Sequence, residues 1–128
     1  LKPRKKPLQA RSTVTVDAIV EATIRILRQH GWAGCTTTRI AALAGVSVGS
    51  LYQYFPNRNA IAVEIVRQRT RAYLAAVIDA DLSDAGTPEE TIDAAIAAFV
   101  VEKRKGLDVS FALRDALPEV QGRQAIIE

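Results

Sequence analysis

Residues 37–56, TTRIAALAGVSVGSLYQYFP, constrain this chain more than any other stretch of it. They read as two short helices around Gly45, and helices joined by so short a turn must cross closely. The first helix then needs a small residue at the crossing, and Ala41, four residues before the glycine, supplies it. The turn needs a residue that accepts a left-handed backbone, which Gly45 does without steric cost. Val46 and Leu51, one and six residues after the glycine, plug the angle between the helices, and Ile40 and Ala44 complete the inner face. These requirements meet in one register, that of a helix-turn-helix. In such a motif the second helix enters the major groove of double-stranded DNA with its N-terminal residues at the base edges.

The flanks extend an all-α pattern. Residues 1–12 hold two prolines and five cations without apolar periodicity, which predicts a flexible basic arm. Val16, Ile19, Val20, Thr23, Ile26 and Leu27 then recur at helical spacing, with Thr13 or Thr15 as the cap and Gly31 just past the end. Trp32 is expected to pack under the next turn. A helix-turn-helix domain is thus expected over 13–57, its second helix running from about Ser47 to Phe55 and ended by Pro56. Asn57 caps a long connecting helix over 58–80 with Ile61, Ile65, Ala72 and Ala76 inward. Residues 81–86 read as a polar loop. Thr87, Pro88 and Glu90 form a capping box with proline in the first turn, so a helix starts there and runs to about Lys105, where Gly106 closes it. Residues 107–117 and 118–127 give two more short helices, on which Phe99 (from the helix before) and Phe111 are expected as core. No alternating strand pattern and no repeat of 20–50 residues is present.

Charge separates the two halves of the 128-residue chain. Residues 1–69 carry 11 Lys/Arg against 3 Asp/Glu, net +8, and residues 70–128 carry 6 against 11, net −5. A front half of that sign suits a polyanion. No apolar run reaches the roughly 20 residues of a membrane span, so no membrane partner is expected. One cysteine and one histidine exclude a disulfide framework and argue against structural zinc. No metal, no cofactor and no catalytic residue is expected, and a lone cysteine suits the reducing cytoplasm.

With Leu51 and Phe55 turned inward, Ser47, Val48, Gly49, Ser50, Tyr52 and Gln53 lie wholly or partly outward on the second helix. Small side chains at 47–50 permit close approach, Val48 suits a thymine methyl and Gln53 an adenine edge. Tyr52 and Tyr54 offer hydroxyls to phosphates, and Thr37 or Thr38 brings a helix N-terminus to another. Arg11 and Arg58 add cations on either side.

The run Gly31-x4-Thr36-Thr37-Thr38-Arg39-Ile40-Ala41-x2-Ala44-Gly45-Val46-Ser47-x-Gly49-Ser50-Leu51-Tyr52-x-Tyr54-Phe55-Pro56-Asn57-Arg58 resembles the DNA-binding segment of TetR-type transcriptional regulators. The resemblance spans about residues 12–75. It implies a homodimeric all-helical regulator, commonly a repressor, that binds operator DNA and is released by a small-molecule effector of unknown identity. It also implies that residues 87–128 begin a C-terminal effector-binding and dimerisation domain, here incomplete, and that the protein works in the bacterial cytoplasm at the nucleoid. Arg58-Asn59 departs from the usual Lys-Glu of the family. It keeps a cation for a phosphate but removes an acid near the cap.

Other readings are weaker. Residues 45–49 match G-x-S-x-G, but a nucleophile elbow needs a preceding strand and a later histidine, and His30 lies upstream. Asp79, Asp81 and Glu90 fit three calcium-loop positions, but Asp84 stands where the loop needs glycine. An architectural or cell-division factor of the same fold without an effector is the main alternative. A helical module binding an acidic protein is a further one.

Overall fold

In the computed structural model, which describes residues 2–80 and 86–127 and the side chains of 11–80 and 86–122, capping chemistry sets most helix boundaries. The α-helices are α1 (Lys2–His30), α2 (Thr37–Ala44), α3 (Val48–Tyr54), α4 (Arg58–Asp79), α5 (Pro88–Arg104), α6 (Leu107–Leu113) and α7 (Leu117–Ile127). Single 3-10 turns occupy Trp32–Gly34 and Arg114–Ala116, and no strand occurs among the described residues. The side chains of Ser47, Asn57 and Thr87 each accept a backbone N–H three residues on, from Ser50, Ala60 and Glu90. Each bond satisfies a donor that a helix start otherwise leaves open. Gly86 N–H also donates to the Glu90 carboxylate. The polar loop expected over 81–86 lies, apart from Gly86, outside the described residues.

Two glycines perform conformational work. Gly45 has φ 76° and ψ 28°, and the N–H of Val46 reaches back 3.0 Å to the carbonyl of Ala41. That is the left-handed ending that stops α2 and aims α3. Gly31 has φ 70° and ψ −172°, a region essentially confined to glycine.

The core follows from the helical stripes. Ile19, Val20, Ile26 and Leu27 of α1 meet Ile40 and Ala41 of α2, Leu51 of α3 and Ile61 and Ile65 of α4, all buried. Full burial of such side chains contributes about 1.5–3 kcal/mol each. Thr23 is also buried, its hydroxyl donating to the Ile19 carbonyl at 2.8 Å. Cys35 is buried beside it, and burial pushes its thiol up to about 11 although the Arg58 charge acts the other way. Trp32 is buried as expected.

Three expectations are corrected. The segment read as a flexible arm is helical from Lys2 and continuous with the first helix. Pro3 falls in the first turn, where no N–H is needed, and Pro7 forfeits a single ladder bond. Ala72 and Ala76 are half-buried, because the far end of α4 packs on α5, a helix with no buried residue. Phe99 and Phe111 are not core: they are 42% and 61% exposed. Phe99 meets Tyr73 edge-on at 5.6 Å, and the Arg114 guanidinium stands 6.0 Å from the Phe111 ring.

α6 and α7 close against the N-terminal helices. Val109 and the Ala116 that follows α6 belong to the same buried cluster as α1–α4. Arg28 of α1 pairs with Asp108 at 2.9 Å. Desolvation is the largest single influence on the Asp108 carboxyl and raises its pKa, but hydrogen bonds from the Val109 N–H and Arg28, with the Arg28 charge, together outweigh it and leave the carboxyl below its ordinary value.

Candidate nucleic-acid interface

The surface built by α2 and α3 carries nearly all the residues expected to read DNA. Leu51 is fully buried and Phe55 nearly so, which fixes the inner face of α3. Ser47, Val48, Gly49, Tyr52, Gln53 and Tyr54 are exposed and Ser50 is half-buried. Ser47 takes part as the cap of α3: its hydroxyl accepts the Ser50 N–H at 3.0 Å and donates to the Ser50 hydroxyl at 2.9 Å. A serine so engaged is a helix cap and not a nucleophile elbow. Apart from its chain neighbours and the backbone of its own helix, only the Ser47 hydroxyl, at 3.9 Å, comes within 4 Å of the position a Cβ would take at Gly49, so the start of α3 presents a low, open ridge.

Tyr52 and Tyr54 lie about 200° apart around the helix. Tyr52 is 48% exposed and Tyr54 37%, the latter closer to the body of the protein. The Tyr52 hydroxyl lies 3.1 Å from the Thr37 hydroxyl, which ties the middle of α3 to the start of α2. Two groups expected to act separately therefore form one hydroxyl pair. The cap of α2 is Thr36, whose hydroxyl accepts the Arg39 N–H at 3.2 Å. Thr37 and Thr38 occupy the first turn beyond it, Thr38 exposed.

Arg39 was missed by the reading of the sequence. It stands exposed in that same first turn, its guanidinium reaching to within 3.4 Å of where a Cβ would sit at Gly34. A cation at a helix N-terminus opposes the macrodipole, so helix stability does not explain it, and that mismatch is the signal the sequence offered. Arg11 is exposed on α1, within the helix and not on a loose arm, and its carbonyl accepts the Thr15 hydroxyl.

Arg58 requires a correction. Sequence alone offered it as a free cation for a phosphate, but its guanidinium is turned into a junction inside the protein. Nε and Nη2 grip the two carboxylate oxygens of Glu119 on α7 at 3.1 and 2.9 Å. Nη1 donates to the carbonyls of Trp32 at 3.0 Å and Cys35 at 3.4 Å. The group also stacks 4.3 Å from the centre of the Trp32 ring. Four of its five N–H donors are thereby engaged, and Arg58 ties α4, the turn before α2 and α7 together. The cap left open by the Arg58-Asn59 departure is supplied by Asn57.

Among the described residues no group of three or more His, Cys, Asp or Glu stands together to hold a metal ion. None of the helices searched there is long and apolar enough to cross a membrane.

Residues 19–65, which hold this surface, match the family model described as bacterial regulatory proteins, tetR family. The HTH-type transcriptional regulator RutR of Escherichia coli (strain K12) is 38% identical over 58 residues, 45% of this chain and 27% of its own length. The fatty acid metabolism regulator protein of Bacillus subtilis (strain 168) is 24% identical over 89 residues, 70% of this chain and 43% of its own. The chain thus spans less than half the length of these curated relatives. In fold, a TetR family transcription regulator from Marinobacter aquaeolei VT8 superposes with a TM-score of 0.66 at 20% identity, over 90% of this chain and 63% of that one.

Proposed function

We propose, for a chain whose residues 19–65 match the family model of tetR bacterial regulatory proteins, that it is a sequence-specific DNA-binding transcriptional regulator with α3 as its recognition helix. The observation that carries this reading is the exposed face of α3, from Ser47 to Tyr54, held in register by Leu51 and the left-handed Gly45. Val48 and Gln53 meet base edges. Thr37, Thr38, Ser50, Tyr52, Tyr54 and the missed Arg39 meet phosphates, and Arg11 and the basic residues before it add cationic contacts. Arg58 is left out because its fork is occupied. Residues 13–57 form the DNA-binding unit, 58–80 the connecting helix, and 87–128 the start of an effector-binding and dimerisation part. The regulator acts in the cytoplasm as a homodimeric repressor released by a small molecule, and it needs no catalytic step.

Selection from a random duplex library followed by titration tests the reading. A recovered sequence should bind more tightly than a scrambled duplex, and both affinities should fall steeply with salt. Deleting residues 1–10 should flatten the log–log salt slope by about 0.9 for each phosphate that those residues neutralise. No preference between recovered and scrambled duplexes refutes sequence reading by α3.

A further inference from the structure

A cavity of about 190 Å³ opens between α4, α5 and α6. Its polar wall is made by Arg69, Thr70, Tyr73, Lys103 and Ser110. Arg69 Nε is buried without a hydrogen-bond partner, and no carboxylate pairs with Arg69 or Lys103 among the described residues. The Arg69 guanidinium runs through the space that a Cβ would fill at Gly106, and the Lys103 ammonium stands 4.8 Å from the centre of the Tyr73 ring. The Thr70 hydroxyl is spent on the Val66 carbonyl at 2.9 Å, but two cations and the hydroxyls of Tyr73 and Ser110 around one small space, with no acid, make a receptor for an anion.

A second cavity, of about 180 Å³, adjoins it on α4. Its lining, which includes Ala62, Val63, Ala116, Leu117 and Val120, is apolar throughout. Val66 and Leu113 line both cavities, so the cationic and the apolar space share a wall. Together they reach the lower end of the range, about 300–1,000 Å³, that holds small-molecule ligands.

We propose that the two cavities are one site for a linear carboxylate of medium chain length. The carboxylate lies between Arg69 and Lys103, within reach of the Tyr73 and Ser110 hydroxyls. The alkyl chain crosses Val66 and Leu113 into the apolar space. As the effector site of the regulator the proposal rests on the function proposed above, while the binding itself is measurable without DNA.

Isothermal titration of the chain with butanoate, hexanoate and octanoate is the test, with 1-octanol and octylammonium as controls for charge. Affinity should rise with chain length by up to about fourfold per methylene. Octanoate should bind at least about tenfold more tightly than either control, and Arg69→Met should lose about that factor. If Arg69→Met does not fold by circular dichroism, Lys103→Met is read in its place with the same expectation. Equal binding of octanoate and 1-octanol overturns the proposal, as does an Arg69→Met variant that melts earlier but binds octanoate unchanged, which makes Arg69 a brace for the end of α5. Failure of octanoate to bind, with sedimentation showing the groove closed by a second copy, also overturns it. Duplex binding without octanoate binding defeats this site alone, and octanoate binding without duplex binding defeats the regulator reading alone.

Discussion

Replacing Arg58 by methionine distinguishes a residue that holds the protein together from one that holds DNA. The methionine keeps part of the packing on Trp32 and removes the fork. The half-exposed pair with Glu119 contributes about 0.2–1 kcal/mol at such exposure. The two carbonyl bonds contribute about 0.5–1.5 kcal/mol each, the longer one at the low end. Stacking on the indole adds about 0.5–1 kcal/mol. Since the methionine still packs on the indole in part, the net loss should be about 2–3 kcal/mol, seen as a Tm lower by about 8–12 °C for a chain of this size. Urea denaturation followed by circular dichroism measures the first quantity. Titration of duplex DNA across a range of salt measures the second. The log–log slope should be unchanged, because Arg58 neutralises no phosphate, whereas a phosphate-bound Arg58 would lower its magnitude by about 0.9 on removal. Glu119→Gln, which removes only the charge, should cost about 1 kcal/mol or less. Unchanged stability with a flattened slope refutes the junction and restores Arg58 to the interface.

Other substitutions probe individual positions. Gly45→Ala should destabilise by about 1–2 kcal/mol in urea although nothing stands within 4 Å of the new methyl, because the cost is that of a left-handed backbone; a neutral substitution would contradict it. Tyr52→Phe and Tyr54→Phe should weaken recovered and scrambled duplexes equally, by about 0.5–1.5 kcal/mol in titrations at fixed salt, whereas Gln53→Ala should alter the preference between them. The Tyr52 change should equal that of Thr37→Val, since the two hydroxyls form one pair. Cys35 should resist iodoacetamide at pH 8 in the native state and react on unfolding, as monitored by mass spectrometry. Because its folded pKa is raised from 9.0 to about 11, its contribution to stability is complete below pH 9 and is lost as pH climbs toward 11.

Rules acting over a few residues were legible in the sequence. The caps at Asn57 and Thr87, the left-handed Gly45, and the buried pair Leu51 and Phe55 all follow from spacing of four residues or fewer, so the helix-turn-helix and its outward face could be read directly. The sequence put Thr37 or Thr38 at the N-terminus of α2 without deciding its cap, because three consecutive threonines offer equivalent hydroxyls and only the fold selects Thr36. What the tertiary structure decided involves partners far apart in the chain. Arg58 and Glu119 are 61 positions apart, and nothing local reveals that a cation beside a DNA-binding helix is spent inside the protein. Arg69 and Lys103 meet around one cavity only because α5 folds back on α4. Phe99 and Phe111 obey helical periodicity and still face outward, since periodicity names the apolar side of a helix while the neighbour that covers it must come from elsewhere. Short-range sterics and hydrogen bonds are written residue by residue. Long-range pairing of charges and apolar faces depends on which helices come to lie together, and that is a property of the folded chain.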